Sequence, residues 1–469
     1  MVRNNAKIFL SLVLFALLIR IVLLAFSPGP PVLRYFNFDE ADYELLGKNL
    51  YEGNGYCYVP GEPSAFRPPL YPIFVAAVFT LSGERNHRAI QWFQAIVSAV
   101  CAGLLYSLGS LIFGPRAGIF AGLLFSIYPT MLYYVPKLLT ETLFITLLTG
   151  AMLLLFVAVR RDNVAFYALA GGMFGVAFLC RTVLLPFLVL FFIPMMLILA
   201  KRRVVKRITP RIAAFYLVFL AAISPWIIRN YVVFSEFIPT DTHLGWVLWH
   251  NTKVHFDFDS DFEKSEREIA EARDSGTLSS ESFFDAIQRY AHFGVQAQQD
   301  GIRKAYNPTV MPQTETEISE FFTEKSLAFF RENKLLLVRD RVANFINFWM
   351  PISSIEGRKG EYFYTYGVIA IFAAIGLWLA LKSRPIGDWL PLLAIVANFW
   401  LATTLFIYHS RLKMPADIAT LIFAGFAMDT IAREKGWAKL SLIAAGAIAL
   451  NLILGSVLLP LKELVKAVL

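Results

Sequence analysis

Three groups of charged residues in this chain stand beside long apolar runs. They are Asp39-Glu40 with Arg67-Pro68-Pro69 inside the stretch Asn37–Pro72, Lys137-Leu138-Leu139-Thr140-Glu141, and His409-Ser410-Arg411-Leu412-Lys413-Met414-Pro415; Arg181 and Arg229 add two single cations. A charge at the centre of a membrane helix costs at least ~2.5–3.5 kcal/mol on insertion scales. Glu141 and Arg411 are therefore expected at an interface or in a polar cavity, with partners. Several fixed cations beside apolar walls suit a phosphate carried on a lipid, which arginine grips with two parallel hydrogen bonds. With phosphate as leaving group, cations stabilise the charge that develops on it. One carboxylate then suffices as general base for an incoming hydroxyl or amine. A glycosidase, which expels an alcohol, needs a second carboxylic acid.

Each group also has a plainer reading. Asp39, ahead of Tyr43-Glu44-Leu45-Leu46 and a Gly53-Asn54-Gly55 stop, would cap a short helix. A cap can also present a carboxylate to a cavity. Arg67 can be a cation snorkelling to the membrane surface, and Arg411 and Lys413 can be anchors at the head of a span. The acidic run Asp257, Asp259, Asp261 and Glu268 imitates an EF-hand calcium loop, but Phe262 stands where the sharp turn needs glycine. A solvated loop is the better reading. His243, His250 and His255 read as interfacial or surface histidines, and Trp246 and Trp249 as sugar-stacking or interfacial rings.

The elements that must position these residues are membrane helices. The 469 residues are 57% hydrophobic and 17% charged, which points to a polytopic membrane protein. The net charge of +8 sits in short clusters between apolar runs, as in cytoplasmic loops, so no nucleic-acid partner is expected. Of three cysteines, Cys101 and Cys180 fall in apolar runs, which excludes a disulfide framework and makes redox chemistry a poor reading. The first run, 8–26, has no small-x-small cleavage site after it and reads as a retained span. About eleven runs are long enough to span the membrane: 8–26, 88–113, 117–137, 141–159, 164–180, 183–200, 211–228, 363–381, 388–408, 413–431 and 438–459. Leu70–Leu81 is ambiguous. If it dips without crossing, every basic turn falls on the cytoplasmic side, from Arg3/Lys7 through Arg160-Arg161 to Arg433/Lys435. It is therefore taken as juxtamembrane or re-entrant.

The expected architecture is an all-α polytopic bundle of about eleven spans plus juxtamembrane helices. It has an N-terminal transmembrane catalytic module (1–228, with a first outer loop 27–87), a small, mainly helical outer-face region (229–362) and a C-terminal transmembrane module (363–469). The outer region should carry short helices at Glu263–Arg273, Ser280–Gln299 and Glu317–Asn333.

In sequence order, Phe38-Asp39-Glu40, Arg67-Pro68-Pro69-Leu70-Tyr71-Pro72, Tyr128-Pro129, Leu139-Thr140-Glu141, Pro225-Trp226-Ile227-Ile228-Arg229-Asn230 and Ser410-Arg411-Leu412-Lys413-Met414-Pro415 resemble the bacterial GT-C superfamily. The likeness is to relatives of protein O-mannosyltransferases and of the lipid A aminoarabinose transferase, and it covers nearly the whole chain. It implies a GT-C helix bundle and an inverting transfer of a hexose or pentose from a polyprenyl-phosphate donor. The acceptor would be an envelope lipid, glycan or protein on the outer face of the cytoplasmic membrane. Asp39 would match the catalytic first-loop acid, Glu40 its neighbour and Glu141 the second acidic position. Arg67, Arg411 and Lys413 would hold the donor phosphate; Lys137, Tyr71, Arg229 and His409 are further substrate-binding candidates. The chain departs from many relatives in having Glu at 141 and Ser-Arg-Leu-Lys in place of Arg-Tyr. No metal site or resident cofactor is implied, although the acidic residues are compatible with a divalent cation. The alternative is a transporter or flippase of a lipid-linked saccharide. A lipid phosphatase is disfavoured because no histidine-rich phosphate motif is present.

Overall fold

The apolar runs form helices, and a computed structural model shows how they are arranged. It describes residues 2–26, 38–199, 205–253, 299, 310–349, 353–354, 362–363, 365–406 and 410–468. The first helix, α1 (Val2–Phe26), is followed by α2 (Phe38–Tyr51), an antiparallel hairpin of β1 (Cys57–Val59) and β2 (Glu62–Pro63), and α3 (Leu70–Ser82). Then come α4 (His87–Phe113), α5 (Pro115–Ile127), α6 (Pro129–Tyr134), α7 (Glu141–Arg161), α8 (Val164–Cys180), α9 (Phe192–Leu199), α10 (Val205–Phe234) and α11 (Leu244–Lys253). Later come α12 (Glu315–Glu332), α13 (Lys334–Trp349), a short hairpin of β3 (Ser353–Ser354) and β4 (Tyr362–Phe363), α14 (Thr365–Ser383), α15 (Leu390–Leu405), α16 (Ser410–Lys413) and α17 (Asp417–Val468). The helices expected at 263–273 and 280–299 and the acidic loop at 257–268 lie outside the described residues, apart from Gln299. The helix expected at 317–333 is α12, whose start is fixed by a capping box between Thr314 and Glu317.

Among the described residues, six helices are long and apolar enough to cross a membrane, and five apolar helices are shorter. The chain is a multi-pass membrane protein. Several expected spans are interrupted, each at an identifiable residue. The run 117–137 breaks between α5 and α6, because Pro129 lacks an N–H and holds Tyr128 extended (φ −70°, ψ 112°). The run 183–200 holds a 3-10 turn at Thr182–Leu184 and a π-helical turn at Phe187–Phe191 before α9 begins. The apolar stretch Arg411–Asn451, 41 residues, is divided at Gly436, whose φ of 80° and ψ of 163° no α-helix contains. Two helices therefore lie there, as the two expected runs on either side of it require.

In the bundle, α4 packs against α1, α5 and α7, α8 against α7 and α10, and α17 against α5 and α14. Close approach of backbones replaces the hydrophobic drive that lipid cannot supply. At Gly376 on α14 a Cβ would fall 1.9 Å from the carbonyl oxygen of Phe423 on α17, so only glycine fits.

The first loop is folded into the protein. Along α2 and α3 the rings of Tyr43 and Tyr71 meet at 5.0 Å and those of Tyr51 and Phe79 at 5.9 Å, so the two helices run parallel. Between them, a Cβ on Gly47 would fall 2.4 Å from Val75 Cγ1. The 13 residues of α3 reach about 20 Å at 1.5 Å per residue, short of the roughly 30 Å of hydrocarbon. Both flanks of α3 are tied to one short piece of α2: Arg67 bonds Asp42, and Arg85 bonds Glu44. Carboxylates two residues apart on α2 thus hold the chain before and after α3.

Candidate active site

Helix α2 is the base of the site. Its first turn carries Asp39 and Glu40, where the positive end of the helix dipole favours carboxylates. Asp39 lies inside that turn, and Asp42, three residues on, shares its face. The far end of α2 is fastened to the hairpin by Asn49, whose amide donates to the carbonyls of Cys57 (2.8 Å) and Tyr58 (3.0 Å). The hairpin returns the chain as a strap, Ser64–Pro69, that delivers Arg67 to both carboxylates.

Arg67 is 8% exposed. Its Nη2 donates to Asp39 Oδ1 at 2.5 Å and to Asp42 Oδ2 at 2.6 Å, and its Nε to Asp42 Oδ2 at 2.9 Å. The other oxygen of Asp39, Oδ2, lies 2.5 Å from Arg411 Nη2. Arg411 Nε is 3.9 Å from Glu141 Oε1, which accepts from Arg181 Nη1 at 2.8 Å. Acids and bases alternate along one line: Asp42, Arg67, Asp39, Arg411, Glu141, Arg181. Each partly buried charge thereby meets the opposite sign, the condition for keeping it away from bulk water. Burial alone would raise the carboxyl of Asp39, but the guanidiniums of Arg411 and Arg67 outweigh it and hold it well below the usual carboxylate range.

All of this line except Asp42 borders a cavity of about 480 Å³, within the range of small-molecule sites. Apolar walls come from the 3-10 turn after α8 (Val183, Leu185, Pro186) and from the end of α15 (Ala402, Phe406). The segment between α10 and α11 lines the cavity too, with Asp241 and His243. Burial raises the Asp241 carboxyl to about 6, opposed by donation from the His243 amide and the Thr182 hydroxyl and by the charge of Arg67.

Sequence reasoning placed Asp39, Arg67, Glu141 and Arg411 in one site, and the structure brings these four together. The other candidates lie elsewhere. Glu40 is buried (1% exposed) but does not line the cavity. Lys413, expected on the donor phosphate, is turned away, with its ammonium over the ring of Tyr366 and its side chain 2% exposed within the bundle. Lys137 stacks on Tyr133. Tyr71 donates to Gln94 Oε1 at 2.8 Å, and the Gln94 amide donates to the carbonyls of Val135 (2.9 Å) and Lys137 (2.6 Å). That chain of bonds fixes the turn from which α7 presents Glu141, so Tyr71 and Lys137 position the site without lining it. Arg229 donates to the carbonyls of Ser64 (2.7 Å) and Tyr56 (3.1 Å), clamping the strap to α10. His409 lies outside the described residues.

Sequence reasoning missed Asp42, Asp241, His243 and Glu315. The helical spacing of Asp42 from Asp39 was a usable signal. Glu315, at the start of α12, accepts from Ser64 Oγ at 2.6 Å and from the amide of Ala65 at 2.7 Å, across 250 residues of sequence. No local pattern announces such a contact. Among the described residues, no group of three or more His, Cys, Asp or Glu is placed to hold a metal ion.

Residues 66–228, roughly a third of the chain, match the family model of dolichyl-phosphate-mannose-protein mannosyltransferases. Among solved structures, the chain is similar to the oligosaccharyltransferase AglB of the archaeon Archaeoglobus fulgidus in complex with an inhibitory peptide and a dolichol-phosphate. Identity is 13% and the TM-score 0.53, over 95% of this chain and 54% of that one. The apo form of the Archaeoglobus fulgidus oligosaccharyltransferase gives 15% identity and the same TM-score, 0.53, over 95% and 54% of the two chains. The fold is that of the GT-C superfamily. The chain spans about half the length of those oligosaccharyltransferases. A weaker likeness, TM-score 0.38 at 12% identity over 91% of this chain and 80% of the other, is to ArnT from Cupriavidus metallidurans bound to undecaprenyl phosphate. Comparison with curated protein sequences returned no relative.

Proposed function

We propose that the chain is a membrane glycosyltransferase that moves a sugar from a polyprenyl-phosphate donor to an acceptor on the outer face of the membrane, with inversion at the anomeric carbon. The observation that carries this reading is Asp39 held between Arg67 and Arg411 on the wall of a cavity that also has apolar lining from Val183, Leu185, Pro186, Ala402 and Phe406. The family model, named for transfer from a dolichyl-phosphate donor, supports it, as does a neighbour of the same fold solved with a dolichol-phosphate.

The acceptor's oxygen or nitrogen attacks the anomeric carbon, and the bond from that carbon to the phosphate oxygen breaks with its electron pair going to the phosphate. The acceptor's proton passes to Asp39. Arg67 and Arg411 meet the charge gained by the departing phosphate, an interaction that strengthens as the bond breaks. The same two guanidiniums pair with Asp39. A donor phosphate that draws them away leaves Asp39 less neutralised and more basic, so binding of the donor prepares the base. Glu141 holds Arg411 and Arg181 in line.

The test compares intact lipid-linked sugars and surface glycans by mass spectrometry in cells with the gene, without it, and with Asp39→Asn expressed at the wild-type level. Donor accumulation and loss of one glycan are expected both without the gene and in Asp39→Asn. Unchanged lipids and glycans in both would overturn the reading.

A further inference from the structure

Asp241 and His243 are not accounted for by the phosphate-binding wall. Both line the cavity, and their segment is held by several hydrogen bonds. The His243 amide donates to Asp241 Oδ1 at 3.1 Å. Their segment is held to α10 by Trp226 Nε1 on the carbonyl of Thr240 (2.6 Å) and by Asn230 on that of Ile238 (3.0 Å). It is held to the strap by the Thr242 amide on the carbonyl of Ala65 (3.1 Å), and the His243 ring stands edge-on to Phe66 at 4.7 Å. Phe66 is the neighbour of Arg67, so these contacts set Asp241 and His243 beside the strap that carries that arginine.

The donors to Asp241, a backbone amide and the Thr182 hydroxyl, are both neutral. The line of arginines is engaged by Asp39, Asp42 and Glu141. Asp241 therefore offers the cavity an acceptor that no guanidinium of that line occupies, beside an imidazole that can donate or accept. A carboxylate and an imidazole suit a ring carrying several hydroxyls, each of which both donates and accepts. The donor sugar hangs from its phosphate by a single linkage, so a phosphate held by Arg67 and Arg411 brings that ring into the cavity that Asp241 and His243 line.

We propose that Asp241 and His243 form the subsite that recognises hydroxyls of the transferred sugar. The proposal rests on the glycosyltransferase reading above and adds where the sugar is read. The experiment measures binding to purified full-length protein in detergent. The probes are bare undecaprenyl phosphate and undecaprenyl phosphate carrying mannose, glucose, galactose, arabinose or aminoarabinose. For the wild type, at least one glycosylated lipid should bind about tenfold or more tightly than the bare lipid, as one well-made hydrogen bond to a charged group allows. Asp241→Asn and His243→Gln should each remove most of that preference while bare-lipid affinity stays within about twofold, which also reports that the variants are folded. A wild type with no preference for any sugar, or variants that retain it, would overturn the subsite. Failure of wild type to bind any of the lipids, bare or glycosylated, would instead sink the glycosyltransferase reading beneath it.

Discussion

Asp39 receives a guanidinium on each oxygen, at 2.5 Å from Arg67 and 2.5 Å from Arg411. Among the described residues, no other carboxylate in the cavity wall is held between two cations at such distances. Substituting asparagine keeps the shape but removes the charge that binds both arginines and the oxygen that would take a proton. Transfer of the accumulated lipid-linked sugar should fall about 10²–10⁴-fold in Asp39→Asn, the usual contribution of a positioned general base. The same geometry sets a pH dependence. Burial opposes the charge, but Arg411 and Arg67 depress the folded-state pKa below the unfolded value. The stability contributed by Asp39 is therefore present above the ordinary carboxylate pKa of about 4 and is lost as pH falls below it. Thermal unfolding in detergent should show wild type more stable than Asp39→Asn at neutral pH, with the gap narrowing below about pH 4. A gap unchanged down to pH 3 would mean that the carboxylate contributes nothing as an ion.

At the scale of elements, the site depends on α2 and α3 packing side by side. Gly47 is the contact point: an added Cβ would come within 2.4 Å of Val75 Cγ1, 2.7 Å of Val75 Cβ and 3.3 Å of the carbonyl oxygen of Pro72. Val75 Cβ is fixed to the backbone of α3 and cannot swing aside. Gly47→Val should therefore separate the helices and destabilise the protein by about 1–3 kcal/mol, the common cost of overpacking. Because α3 begins just after Arg67-Pro68-Pro69, the same change should weaken binding of undecaprenyl phosphate. A variant with wild-type unfolding and binding would show that α3 does not set the position of Arg67. The strap before α3 is held independently, by Glu315 and Arg229 on Ser64 and Ala65. Through Glu315, α12 reaches the residues next to Arg67.

Across the whole molecule, Glu141 opens α7, Arg181 follows α8, Phe406 follows α15 and Arg411 lies just before α17, so one end of the bundle holds the site. Arg160 and Arg161 close α7 after 21 residues, about 30 Å from the site. If the basic end is cytoplasmic, the site is outside and α3 does not cross. Cysteines introduced singly at Glu62, Glu84 and Arg160, all exposed, test this, since the three native cysteines are buried. In intact cells a membrane-impermeant maleimide should label positions 62 and 84 but not 160. Labelling of 62 without 84 would make α3 a span and divide the proposed site. The sequence by itself determined the membrane class, the helical content and the four residues Asp39, Arg67, Glu141 and Arg411, because insertion cost makes charges beside apolar runs conspicuous one at a time. Composition cannot show what a side chain faces. Only the tertiary structure separated Arg411, in the cavity, from Lys413, two residues on and turned toward Tyr366. Likewise it turned Arg229, Tyr71 and Lys137 from substrate contacts into supports, and brought Asp241, His243 and Glu315 to the loop that carries Arg67. Many of those assignments depend on contacts between segments far apart in the chain, up to 251 residues for Ser64 and Glu315, and such contacts leave no local pattern.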